Sequence, residues 1–148
     1  MKNLLFILFM SFTLQSIAQD PAKIVKWKFS STKGNAEHQY VITAVATIDS
    51  GWHVFAPEPG GDGLLIPTDL QFNGKNMPKN VGKFTPRRRP ITHEMEGVGM
   101  VNYYEGEVDF IIIVEVDKAQ TLTGMVSFQC CNDKMCLPPT DVPFTIKL

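Results

Sequence analysis

Beyond its first nineteen residues the chain alternates apolar and polar side chains over segment after segment, the period of a strand with one buried face. Over Lys23 to Ser30, Val25, Trp27 and Phe29 stand against Ile24, Lys26 and Lys28. Over His38 to Asp49, Tyr40, Ile42, Ala44, Ala46 and Ile48 share one face. The pattern predicts further strands over Trp52 to Ala56, Leu64 to Phe72, Val98 to Tyr104, Glu107 to Val116, Thr121 to Cys131 and Val142 to Leu148. Ile111 to Val114 is apolar on both faces, as expected of a central strand. Tyr104-Glu105-Gly106-Glu107 reads as a tight hairpin turn. No segment has a convincing helical period, and the ten prolines are expected in connections. About eight short strands punctuated by Gly, Pro, Asn and Asp predict an all-β sandwich. Two connections are long, Pro57 to Gly63 and Lys75 to Gly97, and loops of such length are often functional.

The first nineteen residues differ. Lys2 precedes an apolar run from Leu4 to Met10 that weakens through Phe12 and Leu14, and Ser16-Ile17-Ala18 offers a small-residue cleavage site near Gln19. That is the layout of a secretory signal peptide. A transmembrane helix needs about 20 unbroken apolar residues, and Ser11, Thr13, Gln15 and Ser16 interrupt this run. No cysteine follows to carry a lipid. The expectation is a signal peptide over 1–19 and one exported, soluble domain over 20–148, with no membrane insertion after cleavage. A net charge of −1 gives no support for nucleic-acid binding.

Export makes the cysteines matter, because an oxidising compartment closes nearby thiol pairs. All three lie within Phe128-Gln-Cys-Cys-Asn-Asp-Lys-Met-Cys-Leu-Pro-Pro139. Strand period puts Cys130 with Leu122, Val126 and Phe128 on the apolar face, and Cys131 with Thr121, Thr123, Ser127 and Gln129 on the polar one. Adjacent cysteines seldom bond to each other, because the small ring distorts the peptide between them. The expected pair is Cys131 with Cys136, closing over Asn132 to Met135, both sulfurs in a surface turn. A loop this small stabilises a fold by only roughly 2 kcal/mol on chain-entropy grounds. It is better suited to opening and closing than to stapling.

This segment resembles the active-site stretch of the N-terminal periplasmic domain of the DsbD thiol–disulfide interchange family: aromatic-Gln-small-Cys, a short acidic turn, then Cys and a Pro-Pro pair. Cys131 and Cys136 match the two active-site cysteines, and Cys130 stands where the family has a small residue. Asp49-Ser-Gly-Trp-His-Val-Phe55 resembles the strand beside that site, and His93-Glu-Met-Glu-Gly97 falls where the family carries a cap loop. The resemblance, from about Lys23 to Leu148, implies an immunoglobulin-like β-sandwich. It implies Cys131 and Cys136 as catalytic residues, His53 and Phe55 lining the site, and Glu94 and Met95 in the cap. It also implies thioredoxin-like or disulfide-isomerase partners and a membrane-embedded reductant, met through transient mixed disulfides. Complete DsbD proteins continue into a membrane conduit and a thioredoxin-like domain; this chain, ending at Leu148, is expected to be a freestanding version of the outermost module. Cys136 is expected to meet partners, because Pro138-Pro139 holds its segment extended, and Cys131 to resolve the mixed disulfide.

Other readings stand beside this protein-disulfide reductase chemistry. The domain could be an exported binding module whose disulfide is only structural. Metal binding through Cys131, Cys136, Met135 or His93 suits soft ions, but structural zinc wants four ligands with paired spacings; no metal or cofactor is expected. Arg87-Arg88-Arg89 reads as a solvated loop, with docking to an acidic partner as the alternative. Trp27 and Trp52 read as packing residues, and His38 as the opening of a strand.

Overall fold

The computed structural model describes residues 20–148; the predicted signal segment lies outside them. A single helical turn, α1 (Pro21–Ile24), comes first, where the alternation had suggested strand from Lys23. Asp20 accepts the Ala22 N–H at 3.0 Å and Pro21 takes the first helical position, so local capping overrides the period of two.

β1 (Val25–Lys33) and β2 (Gln39–Ile48) fall close to their expected places, and β3 (His53–Gly60) runs on into the expected Pro57–Gly63 connection. β4 (Asp69–Asn73) starts five residues later than expected, because Leu64, 80% exposed, has no buried face to join. The connection from Lys75 to Gly97 is not one loop. It holds β5 (Asn80–Val81), β6 (Thr85–Pro86) and β7 (Ile91–Met95). Then come β8 (Gly99–Tyr104), β9 (Glu107–Glu115), β10 (Thr121–Phe128), β11 (Cys130–Cys131) and β12 (Thr140–Lys147). His38 does not open β2; it sits at φ 61° in the turn before it.

Three sheets result. One runs β1-β2-β9-β5, with β6 also on β9; a second runs β12-β10-β4; a third runs β11-β3-β8-β7. β9 is central, as its apolar run predicted, although Ile113 is 42% exposed. The first sheet faces the other two across one core. Trp27 on β1 lies 5.7 Å, ring to ring, from Phe128 on β10, Phe29 lies 4.7 Å from Phe144 on β12, and Phe110 on β9 lies 5.6 Å from Tyr104 on β8. Ile42, Ala44, Ala46 and Ile48 are all buried there, as their alternation requires. The architecture is an immunoglobulin-like all-β sandwich.

Two turn and proline readings need correction. Tyr104 to Glu107 is not a hairpin, because Tyr104 pairs with Val54 in one sheet and Glu107 with Thr47 in another. Gly106, at φ 65°, turns the chain from sheet to sheet, and its carbonyl accepts the Ile48 N–H at 2.7 Å. Prolines also occupy strands: Pro57 and Pro59 in β3, Pro86 in β6 and Pro143 in β12. Each is tolerated for a local reason. β6 and β12 are edges, and β3 shifts register between Phe55 and Gly60. Side chains satisfy the carbonyls freed there: Thr68 Oγ1 donates to Phe55 O at 2.6 Å and Asn102 Nδ2 to Glu58 O at 3.1 Å.

Candidate functional site

β10 and β11 form one line of chain that changes partners at Gln129, leaving β12 and β4 for β3. Across that new pairing Cys130 faces Val54 and Cys131 faces His53. β3 continues on β8, with Val54 opposite Tyr104 and Phe55 opposite Tyr103. The pleat therefore sorts the third sheet into two faces. Cys130, Val54 and Tyr104 are fully buried in the main core. Cys131, His53 and Tyr103 turn the other way.

That second face is not solvent. Cys131 is only 2% exposed, so its expected place in an open surface turn is wrong. β11 and β7 are opposite edges of their sheet, yet Cys131 with the turn after it and His93 to Glu96 at the β7 end line a single cleft of about 740 Å³. Period-two parity tells the two sides of a sheet apart without telling what flanks each. Cys136 is exposed. The disulfide joins Cys131 to Cys136, Cα atoms 4.0 Å apart, and thus runs from a shielded sulfur to an accessible one.

The turn between them is built by Asn132. Its Oδ1 accepts the backbone N–H groups of Lys134 and Met135, both at 2.9 Å, and its own N–H donates to Met135 O at 2.9 Å. Beyond the turn, Leu137 N–H donates to Cys130 O at 2.9 Å, and Gln129 Nε2 to Leu137 O at 3.1 Å. Met135 is left 53% exposed beside the disulfide.

His53 lines the cleft, its ring 4.6 Å from that of Tyr103 and 5.6 Å from that of Phe55. Phe55 itself is fully buried and outside the main core cluster; it packs edge-on against His53 without lining the cleft. Glu94 and Met95 do line the cleft, not from a loop but from β7, which pairs with β8 from Ile91–Tyr103 to Met95–Gly99. Burial pushes the His53 imidazole below its ordinary pKa, outweighing the carboxylates of Glu105 and Asp133, which act to raise it. The same burial and carboxylates push the Tyr103 hydroxyl upward. Cys130 is a free buried thiol, its pKa raised by desolvation.

The sequence reading missed Tyr103 and Glu105. Tyr103 had a signal, since it precedes core-facing Tyr104 and must point to the opposite face; Glu105 reaches the cleft only because its turn crosses between sheets. Of the three arginines, Arg88 is structural: Nη2 donates to Glu105 O at 2.5 Å and the guanidinium lies 5.1 Å from the Tyr104 ring centre.

A model of the family described as "Thiol:disulfide interchange protein DsbD, N-terminal" matches residues 18–147. Among solved structures, the reduced DsbD N-terminal domain of Neisseria meningitidis is similar, with a TM-score of 0.62 and 14% identity over 88% of this chain and 90% of that one. The complex of the DsbD and PilB N-terminal domains from the same organism gives 0.59, 14% identity and 88% of each chain. The N-terminal periplasmic domain of ScsB from Proteus mirabilis gives 0.53 and 17% identity; 81% of this chain covers 49% of that one. At these identities the structural likeness establishes the fold. No curated protein matches the sequence.

Proposed function

The chain belongs to the DsbD N-terminal family, and on that premise we propose that it is an exported thiol–disulfide interchange module working through Cys131 and Cys136. In this reading residues 1–19 direct export to the periplasm and residues 20–148 are the working domain. The observation that carries it is the unequal exposure of the two bonded sulfurs, one buried at 2% and one open at the mouth of a cleft.

That asymmetry orders the chemistry. A thiolate of a membrane-embedded reductant attacks the Cys136 sulfur, and the electron pair of the old bond leaves on Cys131. The reductant's second thiol displaces Cys136, leaving the dithiol here and a disulfide there. Cys136 then attacks a disulfide in a thioredoxin-like or disulfide-isomerase partner. Cys131 resolves the mixed disulfide, so two electrons pass to the partner and the starting bond returns. Glu94 and Met95, with the rest of the β7–β8 hairpin, limit which thiols reach the pair. The Neisseria DsbD domain's complex with a PilB domain supports recognition of a protein partner.

A redox titration of the mature protein tests the reading. Interchange requires the bond to open at potentials that biological dithiols reach. A bond that stays closed well below about −300 mV is a structural staple, and the proposal fails. In the exporting cell, Cys131→Ser should accumulate mixed disulfides through Cys136, and the same variant lacking Cys136 should accumulate none.

A further inference from the structure

His53 sits directly across the β11–β3 pairing from Cys131, and opposed residues of an antiparallel pair hold their Cβ atoms about 5 Å apart. Both side chains enter the same cleft. The ring is held by Tyr103 on one side and Phe55 on another, so its plane is fixed. Its Nε2 is buried and has no hydrogen-bond partner while the disulfide is closed. A buried nitrogen in that condition gains when a donor appears beside it, and reduction creates one: the thiol of Cys131.

We propose that His53 is the proton acceptor for Cys131 during resolution of the mixed disulfide at Cys136. This rests on the interchange reading above and adds to it the residue that makes the shielded sulfur nucleophilic. Neutral His53 takes the Cys131 S–H proton; the thiolate attacks Cys136; the Cys131–Cys136 bond forms as the Cys136–partner bond breaks. The partner's sulfur leaves with that electron pair and is protonated by His53 or by water.

The surroundings suit a base. Tyr103 and Glu105 face the imidazole from β8 and the turn after it, Asp133 and Lys134 from the cysteine turn, and His93, Glu94 and Glu96 from the β7 hairpin. Burial outweighs the nearby carboxylates and lowers the imidazole's pKa, which favours the neutral ring that can accept a proton. Cys131, only 2% exposed, is reached least by water and buffer bases, so a proton acceptor inside the cleft matters more for it than for exposed Cys136.

The test uses the reduced mature protein and dithiobis(nitrobenzoate), which releases one coloured thiolate on attack by Cys136 and a second on resolution by Cys131. In stopped flow, His53→Gln and His53→Phe should slow the second release by about tenfold or more near neutral pH, leaving the first unchanged. The wild-type second phase should show an inflection below pH about 6.5 that both variants lack, their rates following thiolate fraction alone. Second-phase profiles that superimpose on wild type overturn the inference while leaving interchange intact. Equal slowing of both phases assigns His53 to packing and overturns it too. A wild-type protein that gives no second release refutes interchange itself, and the inference with it.

Discussion

Asn132 and Met135 bond to each other twice, Met135 N–H to Asn132 Oδ1 and Asn132 N–H to Met135 O, each at 2.9 Å. The turn that brings the two cysteines together is therefore held by an amide side chain as well as by sulfur. Asn132→Ala should remove the side-chain half and cost about 1 kcal/mol. Because the turn favours the closed bond, the variant's reduction potential should rise by about 20 mV. Equilibration against a glutathione buffer measures this, and an unchanged potential would show that sulfur chemistry alone sets the turn.

Exposure predicts which thiol reacts first. Brief alkylation of the reduced protein should label Cys136 well ahead of Cys131, and leave Cys130 unlabelled until the protein unfolds. Peptide mass spectrometry over a time course reads the order directly.

Cys130 fills a core position, so its replacement should touch stability and not exchange. Cys130→Ala should cost about 1 kcal/mol through lost packing. Cys130→Ser should cost roughly 1–3 kcal/mol, since it buries a hydroxyl among apolar neighbours. Urea unfolding ranks them; a loss of thiol transfer in a folded Cys130→Ala protein would contradict the assignment.

Gly124 in β10 has no room for a side chain. A Cβ there would press on the Gln71 carbonyl and lie 2.6 Å from Phe144 Cζ. Gly124→Ala should destabilise the domain by roughly 2 kcal/mol, visible as a lower unfolding midpoint with an unchanged reduction potential.

The His53 pKa is lowered in the folded protein, and the sign of the linkage follows. Below its ordinary value of about 6.5, the unfolded chain binds a proton that the native one does not. Stability from this group is therefore complete above that value and falls as pH drops toward the folded pKa. His53→Phe should flatten this part of the stability profile, as measured by unfolding at a series of pH values.

Much of the sandwich was legible because its long strands bury one face each: the even residues from Ile42 to Ile48 announce themselves, and so does the parity that sends Cys130 inward. β5, β6 and β7 were invisible for the opposite reason. They are two to five residues long and almost wholly exposed, so no periodic signal exists to read. The cysteine pair was legible from its clustering and from family resemblance. What could not be read was that Cys131 is covered, since the cleft around it is walled in part by β7, some forty residues earlier in the chain. Tyr104-Glu105-Gly106-Glu107 misled because a turn's composition records a change of direction and not which strands then pair.

Leu137 has a last consequence. Its N–H to Cys130 O and its carbonyl to Gln129 tie the far end of the cysteine turn to β11 and to the residue before it, with no help from the disulfide. That end of the surface then keeps its place whether or not the sulfurs are joined, and only the Asn132 turn responds to the bond. In the proposed relay, a protein docking here meets the same landing place on the charged and the spent form, and the spent form occupies it in competition. Throughput would follow the ratio of the two forms in the compartment, and adding more of the domain without more reductant would slow the traffic it carries.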